Sequence, residues 1–136
     1  MTTRIRTTQG LLDNLPFIKR ALAVLPKSQF TPEQRIEAIR KHITEGDFGV
    51  WVAPDLFCVA FINTDLMGTR SCHLWALTAF PGAKTSDFIK LTLEPWSDDF
   101  VIDNFTLWDK VGTSGKSRLL TSYGMRKLAN VWVKER

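Results

Sequence analysis

The stretch Leu56-Phe57-Cys58-Val59-Ala60-Phe61-Ile62 is seven consecutive apolar residues, and it limits the architecture more than any other feature. A strand with one wet face alternates apolar and polar residues. An unbroken run belongs to a strand covered on both faces, here bounded by the turn formers Pro54-Asp55 and by Asn63. The run is far short of the roughly 20 apolar residues that cross a membrane as a helix. Before it, Phe48 to Val52 alternates; after it, the polar and glycine breakers of Asn63 to Arg70 return the chain to a third strand, Ser71 to Phe80. An antiparallel meander is expected.

Helical signals flank the meander. A short strand is expected over Thr3 to Thr7, followed by a helix with Leu11, Leu15, Ile18, Leu22 and Leu25 on one face. Asp13 or Asn14 is its expected cap, Pro16 fits its first turn, and Pro26 ends it. Thr31, Pro32 and Gln34 then form a capping-box signature ahead of the stripe Ile36, Ile39, Ile43, with Gly46 as the stop. Beyond Phe80-Pro81-Gly82-Ala83, Thr85 or Ser86 is the expected cap of a helix carrying Phe88, Ile89, Leu93 and Trp96 and closed by Pro95. Phe100 to Trp108 alternates as a strand, a last helix runs from Thr113 or Ser114 to Gly124, and Met125 to Val133 reads as a final strand.

Composition narrows the setting. With 44% hydrophobic and 24% charged residues, the chain is of globular type. Its start has no apolar run after its charges, so no secretory leader is expected. Cys58 and Cys72 sit in apolar strands and read as buried free thiols of a reducing, cytoplasmic compartment, with no C-x-x-C or other metal-ligand spacing. The net charge of +4 invites anions. The basic residues, Arg126-Lys127 among them, form no helix-turn-helix pattern, RNP-like aromatic strand or continuous stripe, which disfavours nucleic acid. Gly112-Thr-Ser-Gly-Lys-Ser117 has the ending of a phosphate-binding P-loop, but the required first glycine falls on Lys110.

The order strand, helix, helix, three strands, helix, strand, helix, strand resembles the GNAT acetyltransferase fold over residues 1–136. So does the ending Ser117-Arg-Leu-Leu-Thr-Ser-Tyr-Gly-Met125. That resemblance implies a single α/β (α+β) domain, with a central mixed, mostly antiparallel sheet of about six strands flanked by about four helices. It implies a CoA thioester, acetyl-CoA, as co-substrate with no metal, and an amine-bearing small molecule or protein as acceptor. A homodimer is compatible with it, and small proteins of this form are carried by tailed bacteriophages.

By the same resemblance, the pyrophosphate of acetyl-CoA sits in a loop of the type (Arg/Gln)-x-x-Gly-x-(Gly/Ala) at a helix N-terminus, where free amides attract anions. Gly82 matches the middle glycine, while Ala79 and Lys84 depart from the flanking positions. The implied cofactor-binding set is Leu77, Thr78, Phe80, Gly82, Ala83, Lys84, Thr85 and Ser86, with Trp75 to Thr78 beside the pantetheine arm and a strand that splays from Phe100–Trp108. The family's proton-donating Tyr falls on Leu120, and Tyr123 is the fallback donor, roughly 60° off around the helix. Asp103 and His73 are the candidate bases; Asp103, grouped with Val101, Phe105 and Leu107 on one strand face, is the expected one, a partly buried carboxylate with a raised pKa. His73, on a buried strand, reads as a hydrogen-bonded core histidine, and it cannot pair with Cys72, because strand neighbours face opposite ways. An N-acetyltransferase is one outcome. The other is a domain of the same form without its chemistry, acting as a binding or structural protein, which the departures at Ala79, Lys84 and Leu120 favour.

Overall fold

The computed structural model describes residues 2–25, 30–108, 126–128 and 131–135. Within them runs one sheet: β1 (Thr3–Arg4), β2 (Phe48–Ala53), β3 (Leu56–Thr64), β4 (Arg70–Ala79), β5 (Asn104–Trp108), β6 (Arg126–Leu128) and β7 (Val131–Glu135). The spatial order is β1-β2-β3-β4-β5-β7-β6. Only β4 and β5 pair in parallel; every other neighbouring pair is antiparallel.

Strand periodicity sorts the apolar residues into two cores, one on each face of the sheet. On one face, Val50, Phe57, Val59 and Ala76 meet Leu11, Ile18, Leu22 and Ile39 of the N-terminal helices. On the other, Trp51, Cys58, Ala60, Cys72 and Leu74 meet Phe88 and Leu93 of the helical segment after β4. The apolar run of β3 is therefore covered from both sides, as its composition requires.

The N-terminal helical region is two helices, α1 (Thr8–Asp13) and α2 (Leu15–Ala23), rather than one. Thr7 caps α1, its hydroxyl accepting from the Gly10 N–H at 3.0 Å, and Asn14 stands at the N-cap of α2 as expected, without a side-chain cap bond. Asn14 forms the joint and Pro16 occupies the first turn of α2. The capping box of α3 (Pro32–His42) is present as expected, with Thr31 and Gln34 satisfying each other's backbone N–H groups.

After β4, helical backbone runs from Thr85 to Asp98 as α4 (Thr85–Phe88), a π-helical turn (Ile89–Leu93) and α5 (Glu94–Asp98). Pro95 does not close it. Proline lacks an N–H and its ring crowds the carbonyl four residues back; widening the preceding turn to π geometry gives the ring room. Lys84, not Thr85 or Ser86, stands at the N-cap and makes no side-chain cap bond. Phe100 to Asp103 form turns rather than strand, with Val101 at φ 52°, so β5 begins at Asn104. The expected single final strand is a hairpin of β6 and β7. The expected last helix lies outside the described residues.

Candidate active site

Opposite nine residues of β3, β4 contributes ten. The register shifts between Val59, which faces Ala76, and Ala60, which faces Leu74. Trp75 is the extra residue, a β-bulge. A bulge reverses which face the following side chains occupy. Cys72 and Leu74 lie in the core beneath α4 and α5, whereas Ala76, two residues on, lies in the opposite core. Trp75 itself is left 38% exposed.

The parallel pairing of β4 with β5 runs from Ser71↔Asn104 to Leu74↔Leu107 and stops there. Trp108, the next residue of β5, still pairs with Val131 of β7. From Trp75 to Ala79, β4 has no strand partner on its β5 side among the described residues. Among the described residues, the β4–β5 ladder thus ends just before the bulge.

At the fork sits His73. It faces Phe61 of β3 at a ring-centroid distance of 5.2 Å, and its Nδ1 lies 2.7 Å from Thr106 Oγ1 of β5. Burial lowers its pKa, so near neutral pH the imidazole is uncharged. The core-histidine expectation matches its burial and its hydrogen bond. Asp103 departs from expectation. Its carboxylate is exposed and accepts from the Arg70 N–H at 2.9 Å, while its own N–H donates to the Arg70 carbonyl at 2.7 Å. It ties the start of the β4–β5 pair, roughly 13 Å along the strand from the fork. Tyr123 lies outside the described residues, as does Leu120.

The other predicted residues fall at the far end of β4. Leu77 packs against the core beneath α4 and α5. Thr78 is buried and its hydroxyl donates to the Ala21 carbonyl of α2 at 3.0 Å, so it anchors a helix. Phe80 continues the ladder, its N–H donating to the Asp55 carbonyl at 2.7 Å. Its ring meets Phe17 edge-on at 6.0 Å. Phe80-Pro81-Gly82-Ala83 is a β-turn closed by the Ala83 N–H on the Phe80 carbonyl at 3.0 Å, with Gly82 at φ 91°. That is the type II arrangement, with Pro second and Gly third. Gly82, Lys84 and Ser86 are exposed, Ala83 is half-buried and Thr85 is buried.

A diphosphate fits here in part. The start of α4 offers amide donors beside Gly82, and the Arg20 guanidinium lies over the Phe80 ring, 4.9 Å from its centroid. Against it stand two carboxylates: Asp87 in the first turn, and Asp55, whose Oδ2 is 3.7 Å from where a Gly82 Cβ would stand. Arg20, the bulge at Trp75 and the Thr106 partner of His73 were not singled out in the sequence, although His73 was a candidate base and Trp75 was placed beside the pantetheine arm. Strand length was the one available signal, since β4 is a residue longer than its partner.

In sequence the chain matches no protein-family model and no curated protein. In structure it is similar to a "probable acetyltransferase" at 12% identity and a TM-score of 0.71, over 94% of this chain and 91% of that one. It is also similar to Arabidopsis thaliana NAA60 in complex with acetyl-CoA, at 12% identity and a TM-score of 0.63, over 100% of both chains. A third similarity is to glucosamine-6-phosphate N-acetyltransferase from Arabidopsis thaliana, at 12% identity and a TM-score of 0.61, over 95% and 94%. The fold is that of the GNAT acetyltransferases.

Proposed function

We propose that the protein is an acyl-CoA-dependent N-acetyltransferase acting on an amine. The observation that supports this is the end of the β4–β5 ladder among the described residues at the Trp75 bulge, beside a buried, uncharged histidine. The edge from Trp75 to Ala79 would hold the pantetheine arm, and Gly82, Ala83, Lys84, Thr85 and Ser86 the phosphates. The thioester of acetyl-CoA supplies an electrophilic carbonyl whose C–S bond breaks as a C–N bond forms, releasing a thiolate that becomes the thiol on taking up the proton the amine loses. His73 takes the proton the amine gives up, and Thr106 acts as a positioning residue by fixing the imidazole.

A second reading, a domain of this fold that holds no CoA, is favoured by the carboxylates of Asp55 and Asp87 beside Gly82 and by the Thr78 hydroxyl being committed to α2. Thermal melting separates the two. Acetyl-CoA at 100 times its Kd stabilises by about 2.7 kcal/mol. For a domain of this size that raises Tm by about 8–10 °C. The transferase reading further requires amine-dependent release of free thiol. An unchanged Tm at millimolar acetyl-CoA, with no thiol released, establishes the second reading instead.

A further inference from the structure

A cavity of about 330 Å³ opens where the C-terminal end of α3 faces the sheet. Phe48, Phe61 and Trp75 give it aromatic walls, and Ile39 and Ile62 supply aliphatic surface. Glu45 and Asp47 add two carboxylates, Glu45 paired with the His42 imidazole that also lines it, and no Lys or Arg lines it among the described residues. That is notable in a chain with 18 basic against 14 acidic residues. The lining is held in place: both carboxylate oxygens of Glu45 lie 2.9 Å from His42 Nδ1, and the Asp47 carbonyl accepts from the Ile62 N–H at 2.9 Å. The volume is at the lower end of small-molecule pockets.

We infer that this cavity binds a small organic ammonium ion, a primary amine carried on an apolar or aromatic body. Aromatic faces attract cations through their quadrupole, and the carboxylates supply the opposite charge. An anion of the same shape meets repulsion from both. Trp75 belongs to the cavity and is also the residue at which β4 leaves β5, so an amine held there stands beside the fork. Its role as acceptor rests on the transferase reading; its binding does not.

The test uses the full chain without acetyl-CoA, titrated at pH 7 with 2-phenylethylamine, and with 3-phenylpropionate as the anion of matching shape. Nitrogen-edited NMR follows the backbone amides. The amine is expected to shift the amides of Ile39, Asp47 and Ile62 saturably, and the anion to leave them unmoved. Asp47→Asn and Glu45→Gln are each expected to weaken binding, by up to about fivefold for a rim charge. Added salt weakens it as well. Both carboxylates are exposed, and unchanged melting of the variants shows that they remain folded. Equal binding of the anion, shifts mapping elsewhere, or no shift up to about 10 mM, a negligible affinity, overturns the inference. A chain that melts higher with acetyl-CoA but ignores the amine loses only this cavity assignment. One that binds the amine but not acetyl-CoA keeps the cavity and loses the transferase reading.

Discussion

Alanine substitutions at three glycines separate three physical causes, and their order of effect is set by the structure. An added Cβ at Gly46 meets nothing within 4 Å, so the change stays within about 0.5 kcal/mol. At Gly82 the nearest atom, Asp55 Oδ2, is at an ordinary 3.7 Å, but φ is 91°. Holding an L-residue there costs about 1 kcal/mol through the backbone alone. At Gly49 the added carbon falls 2.2 Å from Cη2 of Trp51 and 2.7 Å from two further ring atoms. Gly49 and Trp51 lie two apart on β2 and share a face, so the indole covers the glycine. The ring has little freedom to retreat. It is 2% exposed, with Phe88 at 5.9 Å and Trp96 at 5.0 Å between centroids. Local repacking costs about 1–3 kcal/mol. Full expulsion of a side chain burying about 150–250 Å² forfeits about 4–6 kcal/mol. Gly49→Ala is therefore expected to lose about 3 kcal/mol, at the boundary of these two limits. At about 3–4 °C per kcal/mol for a chain of this length, Tm falls by about 10 °C. Urea unfolding followed by circular dichroism measures all three. A Gly49→Ala chain within about 0.5 kcal/mol of Gly46→Ala would refute the shared face, and with it the placement of Trp51.

Burial lowers the His73 pKa from 6.5, so in acid the unfolded chain binds this proton more readily than the folded one. The resulting stability is fully present above pH 6.5 and is lost as pH falls toward the lowered value. Urea midpoints from pH 5 to 8 should rise with pH, and His73→Gln should flatten the rise; an unaltered slope refutes the assignment. Cys58 is pushed well above its ordinary range by burial and by Cys72, and burial pushes Cys72 up to about 12. Neither thiol should react with a disulfide reagent at pH 8 in the folded chain, and both should react in urea; labelling of the native protein at the unfolded rate contradicts the buried placement.

Elements defined by local chemistry were legible in the sequence. The capping box at Thr31 and Gln34, the stripe of Ile36, Ile39 and Ile43, and the meander through Phe48, Leu56 and Ser71 each depend on residues a few positions apart. The misplaced boundaries arose where two local signals competed. Thr7 and Asn14 are both capping residues, and the structure uses both, Thr7 at the start of α1 and Asn14 at the joint where α1 ends and α2 begins. Pro95 is a helix breaker that a π-helical turn accommodates.

The candidate site was less legible because it depends on register. Nothing local distinguishes Trp75 from the other apolar residues of its strand. It becomes a bulge only when ten residues of β4 are laid against nine of β3. That one-residue excess reverses the faces beyond it, moving Ala76 and Thr78 toward the N-terminal helices and Leu77 toward α4 and α5. Alternation misjudged Asp103 for a separate reason: the strand expected from Phe100 begins only at Asn104, so the carboxylate belongs to the turn before it rather than to the site. His73 gains its position from pairing alone, since Phe61 and Thr106 are 12 and 33 residues away in the chain and meet it only in register. A site assembled by pairing of strands distant in sequence has no sequence motif of its own. This is how a chain can hold the fold at 12% identity to its structural neighbours while departing from the loop pattern at Ala79 and Lys84.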